Sequence, residues 1–166
     1  MLASETLIDA ALRYTRYGQR LLGAEPALRD ELGAGLGQAF SRDEMLAFLA
    51  AQPIQDEASL KRALRALRKR VALRLMVRDL SGHADLGEVM TGITQLAEVA
   101  IQVALRHLDD WLQQTHGTPM GEESGIRQEL IVVGMGKLGG GELNVSSDVD
   151  LIYLYPEAGE TTGRSP

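Results

Sequence analysis

Apolar residues recur three and four positions apart along most of the chain, and this pattern gives way to short β-branched runs only near the end. Leu7, Ala11, Tyr14 and Leu21 mark a first helix from about Ser4 to Leu22, closed by Gly23 and Pro26. A second helix is expected from Ala27 to Phe40, weakened by Gly33, Gly35 and Gly37. Ser41 followed by Glu44 has the form of a capping box and opens a short helix ending near Gln52 and Pro53. Asp56 or Ser59 opens a long helix to about Leu80, with Leu60, Leu64, Leu67, Val71 and Leu75 in one stripe. Ser81 and Gly82 break it. Asp85 with Glu88 caps another helix to about Gln114, whose apolar face is Leu86, Val89, Ile93, Leu96, Ala100, Ala104, Leu108 and Trp111. Trp111 is expected in the core.

The polar stretch Thr118 to Gly125 reads as a boundary, and beyond it the period changes. Leu130 to Val133 is a β-branched run typical of a buried strand. Glycines cluster from Gly134 to Gly141, and Val149 to Tyr155 is a second strand closed by Pro156. The expected fold class is α+β: a helical region over residues 1–120, then the opening of a mixed-sheet domain over 126–166.

Composition narrows the function. The chain is 45% hydrophobic but only 4% aromatic, so Leu, Ala and Val must build the core. A net charge of -6 argues against nucleic acid as a partner. The absence of cysteine excludes disulfides and thiolate metal sites and suits a reducing cytoplasm. No apolar run approaches the roughly 20 residues that cross a bilayer, and Glu5 and Asp9 stand where a signal peptide would be basic. Charge is uneven, however. Lys61, Arg62, Arg65, Arg68, Lys69, Arg70, Arg74 and Arg78 follow one another with no acid between. Most fall opposite the leucine stripe, but Arg74 and Arg78 rotate onto it and require partners there, with Asp79 or the following domain expected to supply them. His83, His107 and His116 have no metal-ligand spacing.

The chemistry concentrates in residues 134–157, GMGKLGGGELNVSSDVDLIYLYPE. Gly134, Gly136 and Gly139 satisfy a dinucleotide-binding fingerprint, but too few residues follow for a crossover helix to a parallel strand. A P-loop needs Ser or Thr after Gly136-Lys137, and Leu138 stands there. A nucleotidyltransferase site fits better. Its glycine turn (Gly136, Gly139, Gly140) cradles phosphate with unobstructed backbone N–H groups, and Lys137 adds a positive charge. Asp148 and Asp150, two apart at the head of the next strand, project to one face and together can hold Mg²⁺, which prefers oxygen ligands. Ser146 and Ser147 offer hydroxyls beside them. The plainer alternative is that the two aspartates only cap a turn and the glycines only form a loop.

The same run resembles the signature of the glutamine synthetase adenylyltransferase/adenylyl-removing family. Its ELNVSSD wording (residues 142–148) is more similar to the N-terminal, deadenylylating half than to the adenylylating half. Residues 67–86, LRKRVALRLMVRDLSGHADL, resemble the helix that precedes the family's catalytic core. The resemblance implies phosphorolysis of an adenylyl-tyrosine on glutamine synthetase, giving ADP, with nucleotide, inorganic phosphate and a PII-type signalling protein as further partners. Adenylylation from ATP, transfer to another hydroxyl, and a non-catalytic docking role stay open. It also implies a longer protein with a third carboxylate beyond Pro166, so the chain is expected to be truncated and inactive alone.

Overall fold

The computed structural model describes residues 2–163, with side chains from Glu5 onward. Residues 164–166 of the expected 126–166 region and the Ser4 side chain lie outside the described residues. Six helices come first: α1 (Leu2–Leu12), α2 (Arg16–Ala24), α3 (Leu28–Gly35), α4 (Arg42–Ala50), α5 (Glu57–Leu80) and α6 (Leu86–His116). Then follow β1 (Pro119–Gly121), β2 (Ile131–Gly134), α7 (Gly136–Gly139), β3 (Leu151–Leu154) and β4 (Gly159–Thr161). The fold is α+β, helical first, as the period change implied. No helix among the described residues is long and apolar enough to cross a membrane.

The helix ends are set by side chains. Ser41, Asp56 and Asp85 each accept the backbone N–H three residues on, at Glu44, Ser59 and Glu88. Only Asp56 with Ser59 forms a reciprocal capping box. Glu44 and Glu88 turn elsewhere, to the two arginines on the leucine stripe. Arg74 forks onto Glu44 at 2.8 and 2.9 Å and stacks over Phe40. Arg78, 6% exposed, forks onto Glu88 at 2.6 and 2.9 Å and donates to the carbonyls of Leu36 and His83. Glu88 hydrogen-bonded to it raises its pKa further above the ordinary value. The partners are therefore α4 and α6, not Asp79 or the following domain: position 79 has rotated away to the exposed side of α5.

The long helix α5 carries two apolar faces where the sequence suggested one. Leu60, Leu67, Val71 and Leu75 pack with Met45 and Leu49 of α4 and Leu96, Val99 and Val103 of α6. Leu73 and Val77, on roughly the opposite side by 100° steps, pack with Ile8, Leu28 and Leu32 of α1 and α3. The first expected helix is broken at Thr15, whose hydroxyl accepts the Gly18 N–H and starts α2, so Tyr14 is thrown into solvent instead of joining the stripe. The second, expected to reach Phe40, ends at Gly35. Leu86, the first residue of α6, and Leu108 are also exposed rather than part of its buried face. Trp111 is half-buried against the core as expected.

Thr118 to Gly125, expected as a polar boundary, is instead a structured hairpin arm. β1 pairs antiparallel with β4, Met120 opposite Glu160. Glu157 fastens it: its carboxylate accepts from the Glu123 and Ser124 amides, the Ser124 hydroxyl and the Gln128 amide. These bonds, the Ser124 hydroxyl foremost, hold Glu157 below the usual carboxylate range.

Candidate functional site

β2 and β3 pair antiparallel, with Val132 opposite Tyr153 and Gly134 opposite Leu151. β2 is the expected Leu130–Val133 shifted one residue along, and β3 is shorter than the expected Val149–Tyr155 by two residues at its start and one at its end. The Met135 N–H then donates to the Asp150 carbonyl at 2.9 Å, extending the ladder by one step. Asp150 is thereby fixed opposite the residue at which the chain leaves β2 for α7. Antiparallel pairing also disposes of the dinucleotide fingerprint, which requires parallel strands joined by a crossover.

Glycine is required at the turn for two different reasons. Gly136 has φ +52°, a left-handed conformation that side-chain-bearing residues seldom adopt. At Gly139 a Cβ would lie 2.5 Å from the Gly134 carbonyl oxygen, so the one-turn helix α7 presses directly on the strand backbone. The Leu138 and Gly139 amides close onto the Met135 carbonyl, and the Gly140 amide onto Gly136. The amides of Gly136 and Lys137 have no backbone acceptor among the described residues. The Lys137 side chain is exposed.

Asp148 and Asp150 lie in the segment just before β3, not at the head of the strand as expected. Ser147 and Val149 line a cavity against α5 and α6, and neither aspartate does. Both are exposed, and among the described residues neither carboxylate makes a hydrogen bond or ion pair. No group of three or more His, Asp or Glu gathers around them among the described residues. Ser146 and Ser147 are occupied differently from the expectation: both hydroxyls donate to the Asn144 side-chain oxygen, at 3.2 and 2.9 Å. The same oxygen accepts the Ser146 amide. Asn144 thus folds the loop that delivers the aspartates, a role signalled by an Asn two residues before a Ser pair but not drawn from it.

Two buried leucines anchor this segment, Leu138 on α7 and Leu143 after it. The Leu143 amide donates to the buried Thr94 hydroxyl of α6 at 3.3 Å. The signal for Thr94 was faint: a hydroxyl one residue from Ile93 on an otherwise apolar helix face.

Sequence comparison reaches the same segment from outside. Residues 6–165 match the glutamate-ammonia ligase adenylyltransferase family. A bifunctional glutamine synthetase adenylyltransferase/adenylyl-removing enzyme of Nitrosomonas europaea is 53% identical over 165 residues, covering 96% of this chain and 18% of the relative. Enzymes with the same name from Chromobacterium violaceum and Burkholderia pseudomallei are 49% and 45% identical, over 94% and 95% of this chain and 17% and 18% of their own lengths. The chain spans less than a fifth of these relatives. With a match that begins in α1 and runs unbroken through the glycine turn and both aspartates, the chain belongs to the glutamate-ammonia ligase adenylyltransferase family.

Proposed function

We propose that this chain supplies metal-binding carboxylates to a nucleotidyltransferase that removes AMP from an adenylylated tyrosine of glutamine synthetase by phosphorolysis, releasing ADP. The observation that carries the proposal is the exposed, unengaged pair Asp148 and Asp150, held just before β3 beside a glycine turn. The names of the relatives support the substrate, and the ELNVSSD run supports the removing direction. Residues 126–166 would open the catalytic domain, and residues 1–120 would brace it.

The donor set fits a hard cation: two exposed carboxylates, with no cysteine in the sequence and no histidine grouped with them among the described residues. Mg²⁺ there would share the negative charge that develops on the attacking and leaving oxygens. Asp148 and Asp150 would hold it. The free amides of Gly136 and Lys137, with the Lys137 ammonium, would hold phosphate oxygens. Bonds balance without a nucleophilic side chain. A phosphate oxygen bonds to the α-phosphorus, the phosphorus–tyrosine oxygen bond breaks, and the phenolate takes a proton from solvent. A phenol of pKa about 10 is an adequate leaving group under these conditions. Positioning and electrostatics do the work.

The test is turnover of adenylylated glutamine synthetase with phosphate and Mg²⁺ by the full-length protein. Asp148→Asn and Asp150→Asn are expected to lower ADP formation by more than the roughly 100-fold that outer-shell changes reach, with circular dichroism unchanged. Normal turnover by either folded variant would sink the assignment. If the variants lose only AMP transfer from ATP, the direction is wrong and the adenylylating alternative takes its place.

A further inference from the structure

Of the eight consecutive cations on α5, six have carboxylates for company. Lys61, Lys69, Arg70, Arg74 and Arg78 pair with Glu57, Glu25, Glu31, Glu44 and Glu88, and Arg62 acts on Asp56. Arg65 and Arg68 have no such partner among the described residues. Arg13, Arg16, Arg20 and Arg106 likewise lack one among the described residues; what sets Arg65 and Arg68 apart is that they stand one turn apart on an exposed stretch of α5. Both line the same cavity, which has a volume of about 300 Å³ and lies between α5, α6 and the loop from Leu143 to Val149. Its remaining wall is largely apolar, including Ile93 and Ala97 of α6 and Val145 and Val149 of the loop. An open apolar cleft with charged residues along one side suits a small-molecule ligand, and unpaired guanidinium groups are matched to carboxylate or phosphate oxygens.

We propose that this cavity binds a small organic anion with an apolar body, its charge held by Arg65 and Arg68, and that occupancy fixes the loop carrying Asp148 and Asp150. The coupling follows from the chain. Val149 lines the cavity and its neighbours Asp148 and Asp150 do not, so a ligand that sets the position of Val149 acts on the segment that carries the carboxylates. That segment is held at the Leu143 amide on Thr94, by Asn144 on Ser146 and Ser147, and at the Asp150 carbonyl on Met135, with Asp148 and Val149 between the last two. Binding itself stands apart from the reaction proposed above; only the consequence for the carboxylates rests on it, and both readouts below are independent of turnover.

Octanoate, a carboxylate on an apolar chain, is the probe, and 1-octanol its uncharged counterpart. Titrations of the full isotope-labelled chain are followed by NMR, with hydrogen exchange read at residues 144–149. Octanoate is expected to shift Ile93, Ala97, Val145 and Val149 and to slow exchange in the loop. Arg65→Gln and Arg68→Gln together break no ion pair, so the fold is retained, and they are expected to weaken octanoate by about ten-fold or more, as loss of charge-assisted bonds does. Ala97→Phe, which fills the chamber, should remove binding and slow loop exchange by itself. Equal affinity for octanol, unchanged affinity in the double arginine variant, or shifts confined to the exposed faces of β2 and β3 would each overturn the proposal.

Discussion

Met45, Leu67 and Val99 in the helices are covered on every side, whereas Ile152, Tyr153 and Tyr155 on and beside β3 are 44%, 59% and 70% exposed. The contrast holds for charge as well. In the helical region the buried cations have forked partners and α2, α4, α5 and α6 have side-chain caps, while Asp148 and Asp150 stand unengaged among the described residues. In its core, one region has resolved its own polar and apolar demands. The other leaves both faces of a two-stranded sheet and an acidic pair open. Structural demand and the proposed chemistry thus fall on different parts of the chain, and they call for different experiments.

The largest effect is expected where the helical region is most self-contained. Arg78→Ala leaves Glu88 half-buried without its cation and orphans the Leu36 and His83 carbonyls. Breaking a buried pair this way costs roughly 3–5 kcal/mol, enough to lower the thermal midpoint by many degrees in a chain of this size. Denaturant unfolding followed by circular dichroism measures it, and a loss under about 1 kcal/mol, the ceiling for surface pairs, would mean that the fork contributes nothing special.

That same fork shows what the sequence could and could not convey. Helical phase alone put Arg74 and Arg78 among leucines and required acids for them, because phase follows from 100° per residue and from nothing distant. It could not say which acids. Glu44 and Glu88 read as capping-box members, and tertiary contact diverted them. The break at Thr15 was missed because a cap competes with a continuous apolar stripe, and here the cap won. The pair Asp148 and Asp150 was legible from its spacing and the glycines before it. Asn144, Thr94 and the Glu157 clasp were not, since each acts on backbone far away in sequence or through a loop with no period to read.

A smaller effect separates two glycines of α3. At Gly35 a Cβ would stand 2.3 Å from the Arg74 guanidinium, which is pinned between Glu44 and Phe40. Gly35→Ala gains up to about 1 kcal/mol of helix propensity but displaces that fork at about 1–3 kcal/mol, so net destabilisation is expected. At Gly33 nothing lies within 4 Å, and Gly33→Ala should stabilise by up to about 1 kcal/mol. Opposite signs in parallel thermal melts sharpen the comparison; equal signs would show that Arg74 yields freely.

On the sheet, the expected change is nearly zero. Tyr153 is exposed on β3, and Tyr153→Ser should alter the stability of this chain by no more than about 0.5 kcal/mol, as surface substitutions do. A drop approaching the Arg78→Ala value would erase the division between the two regions, because it would make Tyr153 a core residue rather than one on an open strand face.

The smallest change is local and depends on pH. Glu157 holds the arm of β1 through four donors from Glu123, Ser124 and Gln128, and these hold its carboxyl below the usual value of 4.5. A depressed pKa in the folded state means that the clasp contributes fully above the unfolded value and loses its contribution as pH falls through the folded one. Hydrogen exchange at the Glu123 and Ser124 amides should therefore stay protected near neutral pH and open below about pH 4.5, after correction for the intrinsic pH dependence of exchange. Other carboxylates titrate in that range, so the control is Glu157→Gln. It keeps an acceptor oxygen but not the charge, and should show weaker protection that no longer changes across the window. The helices report separately: amides of α5 around Leu67 should be indifferent to the substitution at every pH. If they open together with Ser124, the β1–β4 arm and the helices unfold as one unit, and the separation of the two regions fails at its most sensitive point.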